Sequence, residues 1–311
     1  MNNTVFILTG PTASGKSSLA LRLAQRHGLE IVCMDSMQIY RGMDIGTAKP
    51  TPEEQALVPH HLVDVADPAE PFSVTQWLTL AEEALADIAR RGRRALFVGG
   101  TGFYLRALRH PMAMGHTAGD PALREALQAE ADSPGGRERL HARLAEADPA
   151  TAARLHVNDV RRVIRALEVC QLTGKPFSAQ VNPPEPDTGR RFRVAALSLP
   201  RETLYARVDA RVDQMLSAGL LDEVKALLAA GIPADCQAMQ AIGYKELVPI
   251  LRGETSLETA AAALKQNTRH YAKRQLTWLR REEEVFWADA GDDGVEEMVE
   301  RWFWGEGKRT T

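Results

Sequence analysis

A short stretch near the amino terminus has the residue types and spacing of a phosphate-binding loop. The pattern G-x-x-x-x-G-K-[ST] is satisfied by Gly10, Pro11, Thr12, Ala13, Ser14, Gly15, Lys16 and Ser17. An apolar run precedes the pattern, and a helix-forming run that stops at Gly28 follows it. In such a strand–loop–helix unit, backbone N–H groups and a helix N-terminus point at one concavity. The pattern therefore predicts a bound di- or triphosphate, with Lys16 as a point charge and the Ser17 hydroxyl as a Mg²⁺ ligand.

An aspartate follows the next predicted strand. Residues 30–34 form a short apolar run, and Asp35 stands at its carboxyl end. Because the carboxyl ends of parallel strands meet at one edge of a sheet, Asp35 should face the bound phosphates. The residues leave three roles open, which are a cap for the following turn, a Mg²⁺ ligand through water, and a direct part in the chemistry.

The strand predicted at residues 94–98 ends in glycines, not in an acid. An ATPase or a GTPase needs an acidic residue at that point, whereas this chain continues with Gly99, Gly100 and Thr101. The missing acid argues against a motor ATPase or a switch GTPase. It favours a transferase that uses the loop to hold a leaving diphosphate.

Basic residues are concentrated on three predicted helices. Arg207 and Arg211 are one turn apart, so they either pair with neighbouring acids or clamp phosphates. The acids that would balance a long C-terminal helix at 256–281 are displaced to residues 282–284. We therefore expect unpaired basic stripes there and on a second helix, and such stripes favour a nucleic-acid partner. Their members are Arg154, Arg161, Arg162, Arg165, Lys265, Arg269, Lys273 and Arg280.

Composition sets the class of protein. The 311 residues include 44% hydrophobic residues and carry a formal net charge of −3, so a nucleic-acid partner would need a local basic face. The three cysteines have no Cys-x-x-Cys spacing, and no apolar run reaches membrane-spanning length. We expect a cytoplasmic protein with reduced thiols and no membrane contact. The paired histidines His60 and His61 are expected to pack or to contact substrate, since no cysteine or acid stands at ligand spacing.

The order of the elements predicts an α/β fold. Residues 1–111 and 191–311 should form a P-loop NTPase-like core with a mostly parallel sheet and C-terminal helices. Residues 112–190 have little strand character and include Asp-Pro pairs typical of helix starts, so we predict a helical insertion domain there.

Six blocks of the chain resemble the bacterial tRNA dimethylallyltransferases. They are GPTASGKS, DSMQIYRGMDIGTAKP, HHLVDVADP, VGGTGFYL, NDVRRVIRALEV and AKRQLTWLRR. The blocks extend over nearly the whole chain, and the second is much more specific than the phosphate loop. Gln240, Lys245 and Gly102 depart from the residues that we expect in that family.

The resemblance implies a P-loop-type core with a helical insertion, magnesium as the metal, nucleotide (ATP-type) phosphate binding and a monomer. It also implies transfer of a dimethylallyl group from dimethylallyl diphosphate to N6 of the adenosine immediately 3′ of the tRNA anticodon. Asp35 would then be the general base and Thr101 would orient the reacting groups. Lys16, Ser17 and Arg211 would hold the diphosphate.

The same resemblance implies contacts with the tRNA anticodon stem-loop from several segments. The residues are Asp35, Ser36, Met37, Gln38, Thr101, Arg124, Arg161, Arg162, Val163, Ile164, Arg165, Gln240, Ala241, Ile242, Gly243, Tyr244, Lys245, Lys273, Arg274, Gln275, Leu276, Thr277, Trp278, Leu279 and Arg280.

Three other functions fit part of the pattern. A nucleotide or small-molecule kinase would explain the phosphate loop but not the basic stripes. A prenyltransferase acting on free adenylate would share the chemistry without RNA. A non-catalytic RNA-binding module would need neither the loop nor Asp35.

Overall fold

A computed structural model describes residues 4–110, 119–180 and 189–305. These residues divide into two compact units, one within 1–109 and 189–311 and the other within 110–188. The proline-rich stretch at 182–188 that ends the predicted insertion lies outside the described residues.

The larger unit is built on a parallel sheet of six strands in the order β3-β2-β4-β1-β5-β6. The strands are β1 (Thr4–Thr9), β2 (Leu29–Cys33), β3 (His60–His61), β4 (Arg94–Val98), β5 (Arg191–Ser198) and β6 (Val285–Asp289). The predicted α/β class with a mostly parallel sheet is confirmed. Strands β1 and β4 lie side by side, and β5 flanks β1 on its other side, so the loop after β1 starts at the middle of the sheet edge.

Helices cover both faces of this sheet. In chain order they are α1 (Lys16–His27), α2 (Pro52–Leu57), α3 (Val74–Arg90) and α4 (Gly102–Arg109), and then, after the smaller unit, α9 (Arg201–Ser217), α10 (Leu220–Ala229), α11 (Val248–Leu251), α12 (Leu257–Leu279) and α13 (Val295–Trp304). A short 3-10 turn occupies Ala238–Gln240. Because helices lie on both faces, the strands are buried on both sides, and β1 and β2 are almost wholly apolar.

The smaller unit is helical. It consists of α5 (Pro121–Asp132), α6 (Gly136–Ala147), α7 (Pro149–Ala152), α8 (Val160–Thr173) and a 3-10 turn at Phe177–Gln180. Its core is formed mainly by leucines from three of these helices, among them Leu127, Leu140, Leu144 and Leu167. It is a separate core, which agrees with a segment that folds as its own helical bundle.

Side-chain hydrogen bonds cap the N-termini of several helices. Ser73 and Gln76 form a capping box at the start of α3. Asp120 and Asp148 accept backbone hydrogen bonds at the starts of α5 and α7, each followed by proline in the first turn. Ser256 does the same for α12. These local signals determine the helix boundaries before any packing is considered.

Strand β3 is an element that the sequence pattern did not predict. Its two histidines pair with β2, and His61 Nε2 lies 2.7 Å from Glu30 Oε2. Glu30 is buried in β2, and Arg91 from the end of α3 donates to both of its oxygens. These hydrogen bonds from Arg91 lower the pKa of Glu30. A buried carboxylate thus ties the edge strand to the sheet. No helix in the described ranges is long and apolar enough to cross a membrane.

We expect Glu30→Gln to reduce the free energy of unfolding at neutral pH by about 1–2 kcal/mol, because it removes the charge that Arg91 pairs with inside the protein. The folded-state pKa of Glu30 is below the ordinary 4.5, so its stabilisation is full above that value and is lost as the pH falls through the folded pKa. Urea unfolding at pH 7 and in acid measures this difference, which should shrink in acid. Glu83→Gln, at an exposed site on α3, is the control and should change little. Equal losses for both variants would contradict the assignment.

Candidate active site

A cavity of about 630 Å³ opens at the carboxyl edge of the sheet in the larger unit. The phosphate loop, the end of β2, and helices α9 and α12 all contribute to its wall. It brings together three side chains that the sequence analysis proposed for chemistry, namely Lys16, Asp35 and Arg211. These residues are distant in sequence, and only the fold of the sheet edge places them together.

The loop after β1 has the backbone form of a phosphate cradle. Gly15 stands at the N-cap of α1 with φ of 89°, a left-handed conformation that glycine adopts without strain. Helix α1 begins at Lys16, so its free N–H groups face the same space as the loop. Thr12, Ala13, Gly15 and Ser17 line the cavity.

Lys16 lies deep in this cradle. Burial and the positive charge of Arg211 lower its pKa to about 8, while Asp35 acts in the opposite direction. Burial also lowers the pKa of Arg211, and Asp35 again opposes the shift. Two partly buried cations that repel each other are poised to bind an anion, which would relieve both effects.

Asp35 fills the first of the three roles left open by its sequence position, that of a cap. One carboxylate oxygen accepts the N–H of Met37 at 2.9 Å, so the residue caps the following turn. The other oxygen accepts no hydrogen bond within the part of the chain that the structure describes. The side chain also lines the cavity with Lys16 and Arg211. A cap on one oxygen leaves the second able to take a proton.

Thr101 lies beside Asp35 at the same edge of the sheet. Its Oγ1 accepts the N–H of Ser36 at 3.0 Å, which links the start of α4 to the residue after the aspartate. This bond ties the Thr101 hydroxyl to the residue that follows Asp35, although Thr101 is not among the residues that line the cavity.

Gln275 connects the phosphate loop with the glycine turn after β4. It is 6% exposed, its Oε1 accepts the N–H of Thr12 at 2.8 Å, and its Nε2 donates to the carbonyl of Gly100 at 2.9 Å. A Cβ at Gly100 would collide with this amide, which accounts for glycine at that position. The amide of Gln275, predicted to contact tRNA, is therefore engaged within the protein.

The segment 36–50 is anchored by Glu223 of α10. The Glu223 carboxylate accepts the backbone N–H groups of Asp44, Ile45 and Gly46 at 2.7–3.1 Å and the hydroxyl of Tyr244 at 2.6 Å. The buried ring of Tyr244 packs directly against Gly46. Two cavity-lining segments that are far apart in sequence are thus held by a single carboxylate.

Lys49 and His60 complete the wall of the cavity. Lys49 Nζ donates to the carbonyl of Tyr40 at 2.8 Å and pairs with Asp44 and Asp64, which closes the loop on itself. Burial lowers the pKa of His60, whose Nδ1 lies 2.7 Å from the carbonyl of Val58. His60 therefore lines the cavity as a mainly neutral side chain.

The prediction of unpaired basic stripes on the C-terminal helix is wrong for two residues. Lys265 pairs with Asp213 at 2.7 Å and Arg269 with Asp209 at 2.6 Å, because α9 packs along α12 and supplies acids that the local sequence lacks. Asp209 and Asp213 are both paired with residues of α12. Arg211, which stands between them in α9, lines the cavity. Lys273, Arg274 and Arg280 farther along α12 are exposed.

The arginines of the smaller unit are organised around a buried acid. Glu168 on α8 is fully buried and receives Arg124 at 2.8 Å and Arg165 at 2.5 Å. Burial opposes its ionisation, but the hydrogen bonds from Arg165 and Arg124 outweigh that effect and lower its pKa. Arg162 lies 3.7 Å from Asp159, and Arg161 is exposed. Arg124 and Arg165 thus share one anchor while keeping exposed surface.

Several residues predicted to contact RNA have buried side chains. Val163 and Ile164 lie in the core of the smaller unit, and Ala241, Tyr244 and Leu279 lie in the core of the larger one. They support the exposed residues beside them. Gln240, Lys245 and Thr277 are exposed, while Ser36, Met37, Gln38, Ile242, Leu276 and Trp278 are partly buried.

Gly102 makes room for Trp278. A Cβ at this position would collide with the indole ring, so glycine lets α12 approach the start of α4 closely. The tryptophan fills the space that a larger residue after Thr101 would occupy. Lys273, Arg274 and Trp278 also line a second, shallower pocket of about 450 Å³ on α12.

The sequence analysis missed Tyr271, Glu223 and Lys49 as site residues. Lys49 belongs to a block that was recognised but was given no role. Tyr271 lines the cavity from α12, where its helical spacing by itself indicates only an apolar stripe. For Glu223 no local signal exists, because its partners lie 177–179 residues away.

The oxygen ligands at the cavity suit a cation whose remaining coordination positions are filled by the bound phosphates. Ser17 lines the cavity at the first turn of α1, and Asp35 is the acid on the same wall. Among the described residues no group of three or more His, Cys, Asp or Glu could hold a metal ion by itself. This chemistry fits Mg²⁺, which keeps water and phosphate oxygens as ligands.

Comparisons with known proteins show the family to which the chain belongs. The family model described as IPP transferase matches residues 38–282, and the model described as isopentenyl transferase matches residues 3–60. A tRNA dimethylallyltransferase from Geobacter metallireducens is 51% identical over 91% of both chains. One from Bacillus subtilis is 46% identical over 93% of this chain and 92% of its own.

Solved structures show the same relationship. The tRNA isopentenylpyrophosphate transferase from Bacillus halodurans is 44% identical, with a TM-score of 0.71 over 97% of this chain and 95% of its own. A eukaryotic dimethylallyltransferase acting on tRNA is 30% identical, with a TM-score of 0.80 over 96% of this chain and 78% of its own. With the family models and these relatives covering most of its length, the chain belongs to the IPP transferase family.

Proposed function

We propose that this protein transfers a dimethylallyl group from dimethylallyl diphosphate to N6 of the adenosine immediately 3′ of the anticodon in tRNA. The observation that carries the proposal is the cavity in which the phosphate loop, Lys16 and Arg211 face Asp35. An anion cradle and a carboxylate share one space there, and no acid follows β4 to support nucleotide hydrolysis.

Asp35 is suited to act as the general base. The N6 lone pair of adenine is delocalised into the ring and is a poor nucleophile, so removing its proton as the C–N bond forms assists the attack. The oxygen of Asp35 that is not engaged with Met37 is the atom that accepts this proton. Thr101 accepts the N–H of Ser36, the residue after Asp35, and is suited to orient the reacting groups.

The phosphate loop stabilises the leaving group. Negative charge develops on the bridging oxygen of the diphosphate as the allylic C–O bond breaks. Loop N–H groups, Lys16 and Arg211 supply positive charge in a desolvated setting. Ser17 would hold Mg²⁺ together with the diphosphate, and the ion would neutralise phosphate charge there.

The acceptor base must leave the stacked anticodon loop to reach this cavity. The exposed Lys273, Arg274 and Arg280 on α12 are suited to hold the RNA backbone around it. Arg124 and Arg165 in the smaller unit present a second basic group. RNA sequence is read in unstacked loops through exposed base edges, so an anticodon stem-loop is a fitting substrate.

Mass spectrometry of unmodified tRNA incubated with the protein, Mg²⁺ and dimethylallyl diphosphate tests the proposal directly. The expected product gains one five-carbon unit on the adenosine beside the anticodon. Modification of free AMP but not of tRNA would indicate an adenylate prenyltransferase instead. Release of γ-phosphate to a small-molecule acceptor would indicate a kinase.

We expect Asp35→Asn to bind both substrates within about threefold of the wild type but to lower kcat by at least about 100-fold, since the amide cannot accept the N6 proton. The isosteric amide can keep the hydrogen bond with Met37, so the turn should persist. Asp293→Asn, at an exposed turn, is the control and should be fully active. Single-turnover kinetics and equilibrium tRNA binding measure the two effects. A variant with wild-type kcat would remove Asp35 from the mechanism.

Diphosphate affinity should depend on pH through Lys16. Its pKa of about 8 in the free protein means that the lysine loses its charge as the pH rises through that value. Inorganic diphosphate binding should therefore be steady below about pH 8 and weaken by up to about tenfold per unit above it.

Calorimetric titrations across this pH range, in buffers of different ionisation enthalpy, measure both the affinity and the proton uptake. Lys16→Arg should abolish the pH dependence because the guanidinium stays charged. The same pH dependence in Lys16→Arg as in the wild type would assign the titration to another group.

A further inference from the structure

Glu223 of α10 is a partly buried carboxylate that accepts four hydrogen bonds. Its Oε2 accepts the backbone N–H groups of Asp44 and Ile45 at 2.9 and 2.7 Å. Its Oε1 accepts the N–H of Gly46 at 3.1 Å and the hydroxyl of Tyr244 at 2.6 Å. All four partners are donors, so an acceptor is needed at both oxygens, which an ionised carboxylate supplies and an amide does not.

Tyr244 is held in its role as a donor. Burial, and after it the negative charge of Glu223, raise the pKa of Tyr244, so its hydroxyl keeps the proton at neutral pH. The side chain of Tyr244 is fully buried. Its bond with Glu223 is therefore an internal contact that joins two parts of the chain.

The two segments that Glu223 joins meet at a pair of glycines that line the cavity. A Cβ on Gly46 would lie 2.5 Å from the ring of Tyr244, which leaves no room for a side chain there. A Cβ on Gly243 would lie 4.0 Å from the Cα of Gly46. The backbones of the two segments are thus in close contact at this point of the wall. Glu223 fixes the contact although it does not line the cavity itself.

The second of these segments has its own attachment to α12. Glu246 accepts the N–H of Gly243 and a side-chain N–H of Asn267 on α12, each at 2.8 Å. The position of residues 240–245 is therefore set from α12. What Glu223 adds is the position of residues 44–46 relative to that segment.

The two segments reach the surface where the cavity opens. Gln240 and Lys245 both line the cavity and are exposed, so they stand at its rim, and Thr47 and Ala48 line it from the other segment. A cavity of about 630 Å³ can take a single base but not a stem-loop, so the nucleotides beside an everted base must rest on the rim. The separation of the two segments therefore affects the RNA more than a small diphosphate held inside.

The phosphate loop is attached by other contacts. Thr12 N donates to Gln275, and Thr9 Oγ1 donates to the carbonyl of Gly99 at 2.8 Å. Neither bond involves Glu223 or the two segments that it joins. Loosening these segments should therefore leave diphosphate binding intact.

We propose that Glu223 is a positioning residue for the RNA substrate, which fixes the contact between Gly46 and Gly243 and thereby sets the opening through which the acceptor base enters. This inference rests on the proposed function, since it assigns the admission of RNA to one wall of the same cavity. Glu223 acts through the backbone of the two segments and touches neither substrate.

The test is Glu223→Gln in the full-length protein, assayed with dimethylallyl diphosphate and an anticodon stem-loop at a temperature at which circular dichroism shows the wild-type fold. The amide keeps the size of the side chain, but its NH₂ group would face donors, so the two segments should separate. We expect KM and the dissociation constant for the stem-loop to rise about tenfold. We expect kcat to stay within about threefold and the dissociation constant of inorganic diphosphate within about twofold, because the phosphate loop and Asp35 are unchanged.

The matched control is Asp222→Asn. Asp222 precedes Glu223 on α10, is exposed, and loses the same charge near the same helix N-terminus, so this variant should match the wild type in every one of these measurements. Tyr244→Phe is a second test variant, which removes one of the four donors and keeps the ring. It should raise KM for the stem-loop about threefold and leave diphosphate binding unchanged.

A Glu223→Gln variant with wild-type affinity for the stem-loop would overturn the inference. Equal losses of stem-loop and diphosphate affinity would also overturn it, since they would indicate a general loosening of the fold. Weakening of the same size in Asp222→Asn would assign the effect to the charge at the helix terminus instead. If Glu223→Gln does not fold, Tyr244→Phe decides alone, and a wild-type KM for the stem-loop in that variant would overturn the inference. All these results leave the proposed function standing, whereas a wild-type protein that transfers nothing to the stem-loop would overturn both.

Discussion

Two partly buried cations and one carboxylate in a single cavity are the arrangement on which the rest of this structure depends. Lys16 and Arg211 repel each other and are both desolvated, and Asp35 only partly compensates them. A folded protein keeps such a group only if the surrounding fold holds it in place. The parallel sheet does so, since β1 and β2 deliver the loop and the aspartate to one edge and α9 adds the arginine.

Helix α12 supports the cavity through contacts with several other elements. Its Gln275 ties the phosphate loop to the turn after β4, and its Trp278 packs against Gly102. Farther back, Lys265 and Arg269 are neutralised by acids of α9, which locks the two helices together. On α12, the basic side chains that stay exposed and unpaired by α9 therefore lie toward its C-terminal end, at Lys273, Arg274 and the C-cap Arg280. This distribution suits a chain with net charge −3 that must still bind a polyanion locally.

Carboxylates that accept several hydrogen bonds hold together segments that are distant in sequence. Glu223 joins two cavity-lining segments, Glu30 attaches the edge strand, and Glu168 anchors two arginines of the smaller unit. Glu30 and Glu168 are buried and Glu223 is partly buried, and each accepts hydrogen bonds from groups that would otherwise be left unpaired. The loops of the cavity are thereby held without regular secondary structure.

The sequence by itself determined the phosphate loop, the caps of α3, α5 and α7, the α/β class and the candidacy of Asp35, because these features depend on residues a few positions apart. It also contained the blocks by which the family was recognised. Only the tertiary structure decided that α9 neutralises Lys265 and Arg269, that His60 and His61 form an edge strand, and that Gln275 connects the phosphate loop to the turn after β4. Each of these depends on pairing between segments far apart along the chain, and local propensity and periodicity contain no information about such partners.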